Sequence, residues 1–536
     1  MTRVRAEAVK NTKNVAVLIS DGKYLNAVLA VISGLLAFLS FPPAGYSFLA
    51  WIAFIPFFFF IRRTDLRGAF FCAYLAGIVF FGTLLYWLVN VSFLGTVLLI
   101  LYLAVYFGIF GVVAFLVSKY SVEILFLPFA WVAVEYLRGH VFSGFPWGFI
   151  GYSQYKNTQL IQIADVTGVY GISFLIVLVN VTIFFLLTNK NKKRISGVVI
   201  TVFFVMVAIM YGGNKIKSLQ DWRECKISVA QANIPQSLKW DAKYADTIIR
   251  EYIALTESAA SDKPDIMIWP ETAYPYLVDG EGDAEEIRNT AARFKIPILS
   301  GVVYQQKDHF YNAAIMFTPD GKSETKYFKM HLVPFGEYIP FAEHLAFVQN
   351  YIDKPIGDFK GGREFTLFPV RSFSTATAPN GAITRVSNFF KVGALICFED
   401  VFPEISRDFA VKGADILVNI TNDGWFGRTA ASEQHLQSSV FRAVENRVPV
   451  VRAANTGVSC FIDVTGEIRS RVADGDNTFV KGHMTDIVRV VPGRSAYTQR
   501  GDIFAYFCML VTGIVLIASI FVASGKLKFL VKPPAK

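Results

Sequence analysis

The sequence has 536 residues, of which 53% are hydrophobic and 15% aromatic, and its formal net charge is +10. This apolar content excludes an ordinary soluble enzyme and is typical of a polytopic membrane protein. The basic excess indicates membrane topology, and we expect no nucleic-acid partner, because basic residues concentrate in short loops between apolar segments. The middle of the chain has a mixed composition, which predicts a separate water-exposed domain.

Long apolar segments predict a polytopic α-helical membrane domain of about eight spans. The predicted spans cover residues 24–41, 46–61, 68–89, 93–117, 122–140, 169–188, 195–211 and 503–523. Residues 1–211 form the predicted N-terminal membrane domain with seven spans, and residues 503–536 form a C-terminal span with its tail. Residues 212–502 between them form the water-exposed domain.

The distribution of basic residues predicts which side of the membrane each part occupies. Arg62, Arg63 and Arg67 lie in one loop on the side of the N-terminus, and residues 190–194 add four basic residues on that side. Because basic loops stay in the cytoplasm, both termini are predicted to be cytoplasmic. Residues 212–502 then lie outside, which is the periplasm if the source is a Gram-negative bacterium.

An aromatic and glycine-rich segment at residues 135–154 lies between the fifth and sixth predicted spans, on the outer side. Glu135 and Arg138 are three residues apart at a predicted helix end, where their side chains could pair. Two interpretations of the segment remain open. It is either an interfacial aromatic belt or a wall of an entrance for lipids.

Residues 212–502 alternate strand and helix patterns, which indicates an α/β domain with a mixed sheet. The predicted strands cover residues 225–232, 266–269, 298–304, 311–317, 392–396, 415–420, 448–453 and 458–464. The predicted helices cover residues 247–260, 284–294, 403–412 and 432–445.

One predicted strand, in the segment KVGALICFED at residues 391–400, delivers Cys397 at its end. A cysteine at a strand-to-helix turn is well placed as a nucleophile, because backbone N–H groups there can face a reacting carbonyl. The alternative for this stretch alone is a buried structural cysteine. The five cysteines do not form a recognisable disulfide framework, and a pair between Cys225 and Cys460 stays open.

Two further residue types suggest acyl transfer. Glu271 follows Trp269-Pro270 at a strand end and can act as a general base for a thiol, whose free pKa is about 8.5. Lys329 can place positive charge where an oxyanion develops on an acyl carbonyl. The six histidines show no metal-binding spacing and no nucleotide fingerprint occurs, so we predict neither a metal nor another cofactor.

The segments WPETAYPY (269–276), KMHLVPFGEYIP (329–340) and ICFED (396–400) resemble the Glu, Lys and Cys motifs of the nitrilase, or carbon–nitrogen hydrolase, superfamily. With the eight spans, GFPWGFIGYSQ (144–154) and NIPQSLKW (233–240), the whole chain resembles the apolipoprotein N-acyltransferase family of bacterial inner membranes. The resemblance implies a nitrilase-like αββα sandwich at residues 212–502, with Glu271 as base, Lys329 at the oxyanion and Cys397 as nucleophile.

The resemblance also implies supporting and substrate-binding residues. Glu337 and Glu399 match supporting glutamates, and Phe398 stands where relatives carry tyrosine, so any role of that hydroxyl is in doubt. Aromatic residues at the mouth of the site are expected to bind substrate or form a lid, with a plain core role as the alternative. They are Trp240, Phe335, Tyr338, Phe341, Trp425 and Phe426.

The implied reaction has two halves. Cys397 takes an acyl chain from a membrane glycerophospholipid, expected to be phosphatidylethanolamine, and the thioester then acylates the α-amino group of a diacylglyceryl-modified N-terminal cysteine of an apolipoprotein. Such an acyl-enzyme predicts ping-pong kinetics. Two rival functions remain: a membrane-tethered nitrilase-type amidase or hydrolase that passes the acyl group to water, and an inactive domain that serves as a lipoprotein-binding scaffold.

Overall fold

The computed structural model describes residues 22–118, 123–188, 193–219, 223–239, 241–280, 283–321, 324–339, 358–377 and 383–523. Five helices in these ranges are long and apolar enough to cross a membrane: Gly22–Leu39, Leu66–Leu84, Phe93–Val117, Val169–Thr188 and Ile195–Ser218. The C-terminal helix Ile503–Ala523 is also strongly apolar. A bilayer core contains no water to bind backbone N–H and C=O groups. An apolar segment therefore forms a helix, which pairs these groups within the segment itself.

The predicted span at residues 46–61 is not one helix. The structure divides it into a 3-10 helix, Ser47–Trp51, and a nine-residue helix, Ile55–Arg63. Pro56 lies at the start of the second helix, where its missing N–H does no harm, whereas inside a continuous helix it would remove a hydrogen bond. Nine residues rise only about 14 Å, which is about half the hydrocarbon thickness of a bilayer.

The predicted pair between Glu135 and Arg138 also differs from the structure. These residues lie on the helix Glu123–His140, and both form hydrogen bonds with the following loop, while their opposite charges still act on each other. Glu135 Oε1 accepts a hydrogen bond from the Ile150 N–H at 2.8 Å, and Arg138 Nη1 donates to the carbonyls of Phe145 and Trp147 at 2.9 and 2.6 Å. The loop is buried, so its backbone groups need these partners.

The α/β region contains two mixed sheets. The strands of the first sheet are β1 (Arg223–Gln231), β2 (Ile266–Ile268), β3 (Leu277–Val278), β4 (Ile298–Gln306), β5 (His309–Phe317), β6 (Glu324–Phe328) and β13 (Gly482–Val490). The strands of the second sheet are β7 (Leu367–Thr377), β8 (Ile383–Ile396), β9 (Ile416–Thr421), β10 (Val450–Ala454), β11 (Cys460–Ile462) and β12 (Ile468–Arg471). Their orders are β13-β1-β2-β4-β5-β6, with β3 beside β4, and β12-β11-β10-β9-β8-β7.

The two sheets pack face to face and helices cover both outer faces. Side chains such as Val229 of β1 and Ala394 of β8 belong to one shared apolar core. The first sheet is covered by the helices Ala245–Ala260 and Glu285–Phe294, and the second by Pro403–Val411 and Ala431–Asn446. This arrangement confirms the predicted αββα sandwich.

The helix Ala431–Asn446 joins the sandwich to the membrane domain. Its Gln434 inserts between the ends of membrane helices, where the amide oxygen accepts hydrogen bonds from the indole N–H groups of Trp87 and Trp147 at 3.1 and 3.0 Å. The amide nitrogen donates to the carbonyls of Pro42 and Leu84 at 2.9 and 3.2 Å. These four hydrogen bonds are buried, so they fix the position of the sandwich relative to the membrane helices.

A second set of contacts fixes the other end of this helix. Arg447 pairs with Asp165 at 2.8 Å and donates to the side chain of Gln162 at 2.5 Å. Glu445 Oε1 accepts a hydrogen bond from the Val169 N–H at 3.0 Å, at the start of the membrane helix Val169–Thr188. The second sheet is therefore anchored on the membrane helices at both ends of the helix Ala431–Asn446.

Candidate active site

Cys397 lies directly after strand β8 and begins the 3-10 helix Cys397–Val401. Its φ of +55° is in the left-handed region, which is uncommon for a residue with a side chain and clusters at functional sites. Strand β9 runs parallel to β8, and the pair Ile396 and Ile420 brings Thr421 beside Cys397. Cys397 is thus presented at the carboxyl edge of the second sheet, at the strand-to-helix turn that the sequence predicted.

Glu271, Lys329 and Glu337 meet near this edge from the first sheet and its loops. Lys329 Nζ lies 2.9 Å from Glu337 Oε1 and 3.9 Å from Glu271 Oε1. Asn312 on β5 donates from Nδ2 to Glu271 Oε1 at 2.8 Å and to Glu337 Oε1 at 2.9 Å. The charges of Glu271 and Lys329 both act on the Cys397 thiol, so the three predicted catalytic residues share one electrostatic site.

Glu271 keeps one carboxylate oxygen available for proton transfer. Its side chain is buried, and Oε2 has no hydrogen-bond partner within the part of the chain that the structure describes. Gly301 on β4 permits the close approach of this loop, since a Cβ there would lie 2.6 Å from the Glu271 Cα. A buried acceptor without a donor is uncommon and suits a general base that waits for a proton.

The electrostatics of the site favour a protonated resting thiol. Burial raises the pKa of Cys397, the Glu271 charge raises it further, and Lys329 opposes both effects. Burial lowers the pKa of Lys329, but the charges of Glu337, Cys397 and Glu271 outweigh burial and hold it above its usual range. A thiol with this pKa would need a base in order to attack a carbonyl, and the lysine is charged throughout the working pH range.

Glu399 ties the nucleophile to the loop of Lys329. Its Oε1 accepts hydrogen bonds from the N–H groups of Met330 and His331 at 2.7 and 3.2 Å and from the Tyr327 hydroxyl at 2.9 Å. Its Oε2 accepts from the Ile396 N–H at 2.8 Å. Burial raises the pKa of Glu399 to about 7, although these donors oppose the shift. The Glu399 carboxylate thus fixes the loop of Lys329 relative to the loop of Cys397.

A second buried cluster lies behind the nucleophile. His435 Nε2 is 2.7 Å from Asp400 Oδ1, and its Nδ1 is 3.0 Å from Asp423 Oδ1. Arg452 Nη1 donates to Asp400 Oδ2 at 2.8 Å. Burial lowers the pKa of His435, but the two carboxylates raise it to about 9, against the charge of Arg452. Thr421 donates to Asp423 at 3.3 Å and so links this cluster to the position beside Cys397.

Comparison with known proteins identifies the family. The profile described as "Apolipoprotein N-acyltransferase N-terminal domain" matches residues 33–182, and the profile described as "Carbon-nitrogen hydrolase" matches residues 226–481. The apolipoprotein N-acyltransferase of Geobacter metallireducens is 37% identical over 92% of this chain and 94% of its own length. Apolipoprotein N-acyltransferase 1 of Treponema denticola is 31% identical over 91% and 95% of the two chains.

The chain belongs to the apolipoprotein N-acyltransferase family. It is therefore an enzyme, and its apolar helices make it a membrane protein. The scaffold function that the sequence left open is thereby excluded. Membership of the family leaves the acyl donor, the covalent intermediate and the individual residue roles to be argued from the site.

The aromatic residue after the nucleophile connects the two parts of this family member. The ring of Phe398 stacks on Trp147 from the membrane domain, with centroids 6.1 Å apart and planes at 18°. Phe145 and Phe402 lie 6.2 and 5.2 Å from the same ring. The residues beside the nucleophile are therefore packed directly against the buried loop between two membrane helices.

The other aromatic residues predicted to bind substrate differ from one another in packing and exposure. Phe426 packs its ring 4.5 Å from Trp87, and its carbonyl accepts a hydrogen bond from Asn90 at 2.8 Å. Phe335 is 41% exposed, and its N–H donates to the Tyr338 carbonyl at 2.7 Å. Tyr338 and Trp425 are half-buried. Trp240 and Phe341 lie outside the described residues.

Several residues of the site were not predicted. Asn312 lay within a predicted strand, where a polar residue among apolar neighbours was the available signal. Lys239 lies within the NIPQSLKW segment, from which only Trp240 was predicted as a site residue. His435 and Arg452 lay in an ordinary predicted helix and strand, and sequence offered no means to place them behind Cys397. Cys225 and Cys460 are both free, and no cluster of metal-binding side chains occurs among the described residues.

Proposed function

We propose that the protein transfers an acyl chain from a membrane glycerophospholipid, expected to be phosphatidylethanolamine, to the α-amino group of the diacylglyceryl-modified N-terminal cysteine of an apolipoprotein. One observation carries the proposal: Cys397, Glu271 and Lys329 share one site whose nucleophile loop packs against the membrane domain through Phe398 and Trp147. The relatives' names, which specify apolipoprotein N-acylation, agree with this arrangement.

In the first half-reaction, the Cys397 sulfur attacks the ester carbonyl carbon of the phospholipid while Glu271 Oε2 takes the thiol proton. The negative charge that develops on the carbonyl oxygen is stabilised by Lys329, which is buried and charged. The intermediate then collapses, the ester C–O bond breaks, and Glu271 returns the proton to the departing hydroxyl of the lysophospholipid. The product is a Cys397 thioester.

In the second half-reaction, the α-amino group of the acceptor attacks the thioester carbonyl. Glu271 takes a proton from the attacking nitrogen, and Lys329 again faces the developing oxyanion. The C–S bond breaks, an amide forms, and the proton returns to the Cys397 thiolate. Division of the ester-to-amide transfer into two steps gives ping-pong kinetics, and the same base serves both halves because its protonation state alternates.

Water must be kept from the thioester, since hydrolysis would waste the acyl chain. We assign the substrate-binding and water-excluding role to the aromatic residues Phe335, Tyr338, Trp425 and Phe426. For Trp240, which lies outside the described residues, the same role is proposed from the motif resemblance alone. The buried segment at residues 144–154 forms the wall between this site and the apolar helices, which supports the lipid-entrance interpretation over an exposed interfacial belt.

The proposed topology follows from the charges of the loops. Both termini lie in the cytoplasm, and residues 212–502 lie on the periplasmic side of a bacterial inner membrane. The membrane domain of residues 1–211 and the C-terminal segment of residues 503–536 then flank the catalytic domain, whose carboxyl sheet edge faces the outer leaflet. This location suits two lipid substrates that both reside in that leaflet.

A reconstituted transfer assay tests this function. Proteoliposomes that contain phosphatidylethanolamine with a labelled acyl chain are mixed with a synthetic peptide that begins with a diacylglyceryl cysteine. We expect labelled amide on the peptide and an equal amount of lysophospholipid. A peptide whose N-terminus is acetylated is the matched control and should receive no label. Labelled fatty acid in solution, with no labelled peptide, would instead establish the hydrolase alternative.

A further inference from the structure

Lys239 is a second buried lysine beside the catalytic base. It ends the short helix Gln236–Lys239, its side chain is 3% exposed, and its Nζ donates to the backbone carbonyl of Glu271 at 2.8 Å. This bond fixes the peptide unit that carries the general base. An ammonium group is seldom buried without a function or a paired anion, because removal from water costs several kcal/mol.

Among the residues that the structure describes, Lys239 has no carboxylate partner of its own. Within the described ranges, no Asp or Glu side chain lies within 4.0 Å of its Nζ, whereas Lys329 pairs with Glu337 at 2.9 Å. The charged groups that act on Lys239 are Glu271 and Cys397, which are the base and the nucleophile. Its positive charge therefore acts on both groups between which the proton moves.

The charges around the nucleophile explain why one lysine is insufficient. Three carboxylates lie at the site, of which those of Glu271 and Glu399 are buried and that of Glu337 is partly buried. Lys329 is the cation that the sequence motif supplies, and it already holds Glu337. Transfer of the thiol proton to Glu271 moves one negative charge onto the Cys397 sulfur, where burial disfavours it and the remaining carboxylates repel it. A second cation close to both groups would offset this cost.

We propose that Lys239 is a positioning residue of the reaction, which fixes Glu271 through its backbone carbonyl and supplies the second positive charge that stabilises the Cys397 thiolate as it forms. The inference rests on Cys397 as the nucleophile of the proposed function. It predicts that the charge of Lys239, beyond the hydrogen bond alone, controls the reactivity of the thiol.

The protonation state of Lys239 gives the inference a characteristic pH dependence. Burial lowers the pKa of Lys239 to about 8, although the Glu271 and Cys397 charges oppose the shift. The ammonium is therefore charged at pH 7 and loses its proton as the pH rises through about 8. Its stabilisation of the thiolate is complete below that range and is lost above it. An arginine in the same place would keep its charge throughout.

The test measures alkylation of Cys397 by iodoacetamide from pH 6 to pH 10, by peptide mass, on the full-length protein in detergent. Alkylation requires neither phospholipid nor apolipoprotein, so its outcome is independent of the acyl-transfer assay. Lys239→Gln keeps a donor for the Glu271 carbonyl without the charge, and Lys239→Arg keeps the charge. Lys243→Gln, at an exposed position in the same segment, is the matched control.

We expect Lys239→Gln to slow alkylation about tenfold at pH 7, since removal of a nearby cation raises a thiol pKa by about one unit. This difference from the wild type should shrink as the pH rises above about 8. Lys239→Arg should match the wild type at pH 7 and exceed it above that range. Lys243→Gln should follow the wild type at every pH.

Three results would overturn the inference. The first is an equal alkylation profile for Lys239→Gln and the wild type. The second is an equal loss in Lys239→Gln and Lys239→Arg, which would assign the effect to packing. The third is a Lys239→Arg variant that alkylates no faster than the wild type above pH 8, a comparison that needs no neutral variant to fold.

Discussion

Replacement of Glu271 by glutamine is expected to slow both half-reactions by about 10²- to 10⁴-fold, which is the usual contribution of a positioned general base. Glutamine has the same shape and can still accept the Asn312 hydrogen bond, but it cannot take a proton. The measurements are single-turnover rates of lysophospholipid release and of amide formation. Both rates should fall together, because one base serves both steps.

Glu285→Gln is the matched control for this change, since Glu285 is exposed and the substitution is chemically identical. Its rates should equal those of the wild type. A Glu271→Gln variant that loses only the first half-reaction would show that another base serves the amine. A variant with near-wild-type rates in both would remove Glu271 from the mechanism altogether.

Lys329→Met should reduce acyl transfer by about 10²- to 10³-fold, the cost of one lost oxyanion-stabilising group. It should also destabilise the fold by about 3–5 kcal/mol, because a buried cation disappears while its carboxylate partners remain. Lys329 is 1% exposed and lies 2.9 Å from Glu337 Oε1, so water cannot readily replace it. Thermal unfolding in detergent measures the second effect and single-turnover kinetics the first.

A double variant separates the two effects of Lys329. Lys329→Met combined with Glu337→Gln removes the unpaired carboxylate and should recover part of the lost thermal stability. It should recover no activity, because the oxyanion still lacks its cation. Recovery of activity in the double variant would mean that Lys329 acts only by neutralising Glu337, and the oxyanion assignment would then be wrong.

The apolar spans and the short buried strands were accessible from sequence because each carries its own periodicity. Strand β9 is mostly apolar, with Asn419 as a polar exception, and its prediction at residues 415–420 agrees with Ile416–Thr421. Strand β8 was predicted only at residues 392–396, although it extends back to Ile383. Its first half is rich in polar residues and is a strand because it pairs with β7, a non-local interaction that no local pattern reveals.

The break in the predicted span at 46–61 was likewise not evident from composition. The span is apolar throughout, and only the position of Pro56 separates the helix Ile55–Arg63 from the preceding 3-10 turn. Several apolar side chains of this segment are buried, and Phe57 and Phe60 are fully so. Composition could not predict that this burial is within the helical bundle of the membrane domain, because an apolar helix surface suits protein and lipid alike.

The candidate site shows the same boundary between local and non-local information. Cys397 was predicted at a strand end, and the structure places it there with a left-handed φ. Only motif resemblance could place Glu271 and Lys329 beside it, since they follow strands of a different sheet. Asn312 and Lys239 acquire meaning only from distances to Glu271 that the fold creates. Local sequence therefore predicted the nucleophile's setting, and the fold supplied its partners.

The central claim is that Cys397 carries the acyl chain between the two substrates. Intact mass of the purified protein after incubation with phosphatidylethanolamine, beside Cys397→Ala, tests it most directly. The account predicts a mass increase of one acyl chain that hydroxylamine removes, that the acceptor peptide discharges, and that Cys397→Ala lacks. An acyl adduct of equal amount on Cys397→Ala, or transfer to the peptide by that variant, would contradict it.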